Sequence, residues 1–321
     1  MKTLLASLLA VATIYAANAQ SNTLSLSQSG SGNTTPVSQR GPGNTASVTV
    51  AGDNNQTSLG QTGGNTATVV VTGNRNVGAL QAAGSEASLT QIGDDNRAST
   101  TSFGSSGNQY NLYQNGNRNT AQVESVWGGN NQVSIAQTGY NNQSTVRASG
   151  YDGQSMPFNS YNNQVIISQT GNDNVSNANI QYSSFNRVTI SQTGDDNVAR
   201  TNHTGGANYG QGSYNQATIS QTGEANQAVI EQPGSVNQAT LTQLGSSNEA
   251  RLMQGSNLNT ATVLQRGNAN VLAGLGSGAT SAMQTGGNGN ALMLTQSGDG
   301  NVLRFGQIGN NNTATVTQGA N

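Results

Sequence analysis

The 321-residue chain contains no cysteine, so disulfides and cysteine-ligated metal sites are excluded. It has one histidine, which cannot by itself build a metal centre that needs several converging ligands. Charged residues make up 7% of the chain and the formal net charge is −2. That leaves no electrostatic footprint for nucleic acid. Aromatics are 4% and hydrophobic residues 32%, too few for a conventional globular core. Such poverty usually marks disorder, but disordered chains carry high net charge. Beyond residue 19 no apolar run approaches the roughly 20 residues of a spanning helix. No strand face carries the apolar girdle of an outer-membrane barrel, so no membrane insertion is expected.

Residues 1–19 read as a secretory signal peptide. Lys2 supplies the positive end, Leu4 to Ile14 the apolar stretch, and Ala17, Asn18 and Ala19 a small-residue cleavage site before Gln20. The mature chain is therefore expected outside the cell, held together without disulfides.

What the chain does have is a period. Between 215 and 270 five eleven-residue units follow without a gap: NQATISQTGEA, NQAVIEQPGSV, NQATLTQLGSS, NEARLMQGSNL, NTATVLQRGNA. Asn215, Asn226, Asn237, Asn248 and Asn259 open them. Two residues on stands alanine, then Ile219, Ile230, Leu241, Leu252 or Val263, then Gln221, Gln232, Gln243, Gln254 or Gln265. A fixed period of this kind marks a repeat architecture. The phrase returns near the end, with Leu294 and Gln296, then Asn301 and Gln307, then Asn312, Val316 and Gln318.

Upstream, strong and degraded units alternate. Strong ones carry Gln91, Gln114, Gln137, Gln169 and Gln192, with Ile135, Ile167 and Ile190 as their aliphatics. Degraded ones put Ser102, Ser125, Ala148, Ile180 and His203 in the glutamine position. Strong units recur every 22 or 23 residues apart from one insertion, 150–160. Two units therefore make one coil, a strand in each of two sheets. Residues 20–43 read as a leader or irregular first coil, because Pro36 and Pro42 would break a central ladder, and 44–321 as the repeat domain.

Within a unit the Asn, Ala, aliphatic and Gln positions share one parity, so they line one face of a strand. The intervening residues are polar, and the apolar period is 2, which means strand and not helix. Identity at each position favours a β-solenoid over hairpins. Stacked coils put Gln over Gln and Asn over Asn, and side-chain amides then pair along the axis. The fold expected is all-β, a solenoid of strand-turn-strand coils of about 22 residues in two parallel, in-register, amyloid-like sheets. At about 14 coils its length would be roughly 65 Å. No end cap is evident, so the terminal coils are expected to offer open strand edges.

The pattern Gln-x-Gly-x-x-Asn-x-Ala-x-(Ile/Val/Leu)-x-Gln resembles the curlin repeat of bacterial curli subunits, from about Leu24 to Asn321. The resemblance implies a secreted amyloid subunit of a cell-surface fibre that builds biofilm matrix and mediates adhesion. It implies copies of itself as partner, an outer-membrane curli secretion pore, accessory chaperones and a companion major or nucleator subunit. Many units carry the full motif on both strands, which is similar to nucleator-type subunits.

No catalytic, cofactor-binding or metal-binding residue is expected. His203 occupies a glutamine position and has no second ligand. Asp94, Asp95, Asp195 and Asp196 fall in turns, where Asp is favoured, and lack the pattern of calcium-binding solenoids. Arg97, Arg118, Arg187 and Arg251 read as isolated and solvated, and Trp127 as a surface residue. No serine sits in a nucleophile elbow. The alternative function is a monomeric secreted solenoid binding ice or polysaccharide through outward rows of Thr218, Thr240, Thr262 and Thr315.

Overall fold

In the computed structural model, residues 21–153, 156–158, 160–205, 213–275 and 281–319 are described. The expected signal peptide and Asn208 lie outside them, as does part of 150–160. Thr, Val and Ile alternating with Ala and Gln suit a pleated surface with one wet and one dry side. Nearly every unit forms such a strand. Gln216–Thr222, for example, alternates half-exposed and buried residues, with Ala217, Ile219 and Gln221 inward.

Alternate strands go to opposite sheets. The first sheet begins with Thr23–Ser29 and ends with Thr313–Gly319, and the second begins with Val37–Arg40 and ends with Val302–Ile308. Each contains 13 strands among the described residues. Every pairing within the two sheets is parallel and in register, as where Ile135 lies beside Ile167 and Gln137 beside Gln169. The fold is thus a two-sheet β-solenoid, all-β, with no helix among the described residues. Between the sheets runs one thin core, whose fully buried members include Leu89, Leu112, Ile135, Ile167, Ile190, Ile219, Ile230, Leu241 and Leu252. Val263 and Leu294 join it, while Val316, on the last described strand, is only half-buried.

The coil count differs from the expected 14. Val271–Gly274 and Ala282–Thr285 both pair with Glu249–Gln254 on one side and Val302–Ile308 on the other. They share a single rung, so the second sheet has twelve rungs against thirteen in the first. Thirteen rungs at the standard strand spacing span about 58 Å. The period overcounts because three connections are long, not one. Besides 150–160, extra chain separates Val198–Thr204 from Gln216–Thr222 and Val271–Gly274 from Ala282–Thr285. In the 150–160 insertion, Tyr151–Gly153 and Met156–Phe158 form an antiparallel hairpin beside the corner. Residues 21–43 stack as a coil: Thr23–Ser29 pairs with Thr45–Ala51, and Val37–Arg40 with Gln56–Thr62. Pro36 sits just before Val37, and its carbonyl accepts from Leu59.

One corner is a column of glycines. Gly116 and Gly139 have φ of 126° and 119°, and a Cβ on either would run into the carbonyl oxygen of the glycine in the next coil. The corner can be this tight only without side chains.

Candidate assembly interface

The inward glutamines of the first sheet form a continuous amide ladder. Gln91 Nε2 donates to Gln114 Oε1 at 2.9 Å, and the chain of bonds runs on through Gln137, Gln169, Gln192, Gln221, Gln243, Gln265 and Gln296 to Gln318. Each Nε2 has a second hydrogen, and it crosses the core. Gln114 donates to Arg97 O at 2.9 Å and Gln221 to Val198 O at 3.0 Å. The ladder therefore ties coil to coil and sheet to sheet. The second sheet has two shorter runs, Gln39 to Gln61 and Gln232 through Gln254 and Gln284 to Gln307. Gln284 belongs to the blurred stretch where the repeat is hard to read in sequence, and only its register reveals it.

Asparagines make two more columns with the opposite polarity. The backbone N–H of Asn226 donates to Asn197 Oδ1, and Asn248, Asn270 and Asn301 repeat the bond in turn. At the other corner Asn215, Asn237, Asn259, Asn290 and Asn312 do the same. An inward Asn at the strand start thus satisfies a turn N–H that would otherwise be buried without a partner.

The irregular positions have local causes. Gln91 Oε1 lacks a donor because Val71 fills the slot one coil earlier. Tyr110 replaces the usual alanine, and its buried hydroxyl lies near Ser125, Ser102 and Ser85 without a hydrogen bond. Ser102 and Ser125 leave the volume a glutamine would take, and Ser85 that of an asparagine, so large and small residues compensate across the core. Burial raises the Tyr110 pKa. His203 heads the second-sheet ladder: its Nε2 is 2.6 Å from Gln232 Oε1, which fixes Nε2 as the protonated nitrogen. Its Nδ1 has no partner, and burial lowers its pKa to about 4.

The acidic turn residues serve the turns. Asp94 Oδ1 accepts from Asn74 N–H at 2.8 Å and Asp195 Oδ1 from Asn172 N–H at 2.8 Å. Asp95 pairs with Arg75 at 2.8 Å, and that bond holds its carboxyl below the usual range. Arg118 and Arg251 are not isolated: Arg118 hydrogen-bonds and stacks on Tyr140, and Arg251 pairs with Glu249 at 3.3 Å. Trp127 packs edge-on against Phe103, ring centroids 5.3 Å apart, over the bare backbone of Gly104.

Among the described residues no group of three or more His, Asp or Glu converges to hold a metal. An open trough lies on the outward face of the first sheet, lined by Thr66, Glu86, Gln109 and Asn111 among others. The outward threonines 218, 240 and 262 lie on adjacent rungs, but Met293 interrupts the row before Thr315. What the arrangement offers instead is its ends. Thr23–Ser29, Val37–Arg40, Thr313–Gly319 and Val302–Ile308 each pair on one side only among the described residues. Leu24, Leu26, Ala314 and Val316, buried in every interior coil, are half-buried there.

The family model described as the curlin associated repeat matches residues 19–49, 30–63, 212–245 and 287–319. No curated protein matches the chain.

Proposed function

We propose, from the premise that the chain belongs to the curlin-repeat family, that it polymerises head-to-tail into an extracellular, curli-type amyloid fibre. The observation that carries this reading is the pair of end coils. Among the described residues they leave strand edges and ladder groups without a stacked neighbour, and an open edge is a template for another chain. A contact that repeats without closing yields a filament. The interior already has cross-β character: parallel, in-register strands with amide ladders.

Biofilm matrix and adhesion are the roles such a fibre serves. Export past residues 1–19 through an outer-membrane curli pore, with accessory chaperones and a major or nucleator companion, completes the scheme. Family resemblance supports these partners, and full motifs on both sheets between 215 and 270 favour a nucleator-type contribution. The broken threonine row weighs against recognition of a regular lattice such as ice.

Purified chain incubated at neutral pH is expected to bind thioflavin T and to diffract at about 4.8 Å along the fibre and about 10 Å across it. A stable monomer with neither signal would overturn the proposal.

A further inference from the structure

We infer that successive molecules in the fibre are joined by a half turn about its axis, so that each continuous sheet is built from the first sheet of one copy and the second sheet of the next. The inference rests on the polymerisation reading above and adds the geometry of the joint.

Rungs alternate between the sheets along the chain, and the described strands both begin and end in the first sheet, with thirteen rungs there against twelve in the second. The first-sheet strand therefore overhangs at both ends. Burial shows it. At one end Val37 and Gln39 are 3% and 5% exposed while Leu24, Leu26 and Gln28 are half-buried. At the other, Phe305 and Gln307 are 9% and 6% exposed while Ala314, Val316 and Gln318 are half-buried.

Stacking two copies in the same orientation sets overhang on overhang. Thr313–Gly319 meets Thr23–Ser29 of the incoming copy, and the second sheet is left one rung short. The backbone groups of Val302–Ile308 and of the incoming Val37–Arg40 then face a gap without partners, which is costly in a buried joint. A half turn sets each overhang into the other's recess. The incoming Thr23–Ser29 lies on Val302–Ile308, and the incoming Val37–Arg40 on Thr313–Gly319.

The chemistry fits because the two halves of a coil are equivalent. Interior glutamines donate Nε2 toward the next coil, and interior asparagines offer it Oδ1. At the half-turn joint Gln307 and Gln318 donate to the incoming Gln28 and Gln39. The incoming Asn22 and Asn33 donate to Asn301 and Asn312. Leu24 covers Leu303, Leu26 covers Phe305 and Val37 covers Val316. Both ladder polarities run unbroken, and reversing one copy would set donor against donor. The joint is therefore polar as well as twisted.

The absence of native cysteine makes the test clean. Thr23, Val302 and Thr313 all point outward and are exposed. In the half-turn joint Thr23 sits beside Val302; in the straight joint it sits beside Thr313. The two double variants of the full chain, Thr23→Cys with Val302→Cys and Thr23→Cys with Thr313→Cys, are assembled under reducing conditions, then oxidised and dissolved. The first is expected to yield at least about tenfold more covalent multimer, since a disulfide needs Cα atoms within about 7 Å. Equal yields, or a majority from the second, would overturn the half turn. As a second readout, the 150–160 hairpins should project on opposite sides of the fibre in successive subunits by electron microscopy, and projection on one side would overturn it equally. Failure of the wild-type chain to form fibres is a separate result, and it would sink the polymerisation reading itself.

Discussion

His203 shows how one side chain sets the pH response of a chain with few charges. It is fully buried, with a pKa lowered to about 4 by desolvation. Between pH 6.5 and 4 the unfolded chain binds the proton and the folded chain does not. Stability therefore falls as pH is lowered through that window, by about 3 kcal/mol in total. His203→Gln is expected to remove this component, because the amide can donate to Gln232 without titrating. Denaturant midpoints of both proteins at pH 7 and pH 4.5 check it: equal losses would show that His203 is not the responsible group. A ladder rung offers a second measurement. Gln243→Leu removes the acceptor of Gln221 Nε2 and the donor to Gln265 Oε1. The orphaned buried amide costs about 1–3 kcal/mol, visible as a lower denaturant midpoint with unchanged strand content.

At the scale of elements, corners matter more than strands. The strands accommodate Tyr110 in place of alanine, where serines stand opposite, and Ile180 in place of glutamine, where it is fully buried. The glycine column has no such freedom, since its neighbour is backbone. Gly139→Ala combines a φ of 119° with a collision against the carbonyl of Gly171, and it should cost more than about 2 kcal/mol. Ser134→Ala, at a half-buried outward position of the same strand, should cost little by the same unfolding assay. The 150–160 insertion behaves oppositely. Gly128 pairs with Ser160, and Gly150 N–H donates to Val126 O as Trp127 N–H donates to Phe103 O. Joining Gly150 directly to Ser160 would thus recreate an ordinary corner, shortening the Gln137-to-Gln169 step from 32 residues to the common 23. The deletion variant is expected to fold and to assemble with the same cross-β reflections; loss of either would assign the hairpin a structural role.

For the whole molecule, the stability of the fold and the proposed fibre growth depend on different places. Interior strands are paired on both sides, whereas the end strands pair on one side only among the described residues, and in the proposed fibre another copy would complete them. Val316→Lys separates the two. In the monomer the ammonium reaches water from the half-buried end strand. In a fibre it is buried under the incoming copy, a costly position for an unpaired charge. Elongation from wild-type seeds should slow by at least about tenfold while the monomer keeps its strand signal. Undiminished elongation would mean that growth does not pass through this end.

Strand, coil and ladder were legible in the sequence because stacking in register places each residue on its own equivalent, so that periodicity is written directly into identity at Asn215, Ala217, Ile219 and Gln221. The alternation of strong and degraded units likewise revealed two strands per coil. What the sequence left undecided depends on which residues share a rung across long or unequal connections. Gln284 joins Gln254, and His203 meets Gln232, across steps of 30 and 29 residues that break the common period. The compensation of Tyr110 by Ser102 and Ser125 is a contact between sheets, which no single-strand period encodes. The odd number of rungs follows from Val271–Gly274 and Ala282–Thr285 sharing one level. Local identity fixed how coils stack; only the packed structure decided how many there are among the described residues and which strand overhangs, because that depends on which distant residues share a rung.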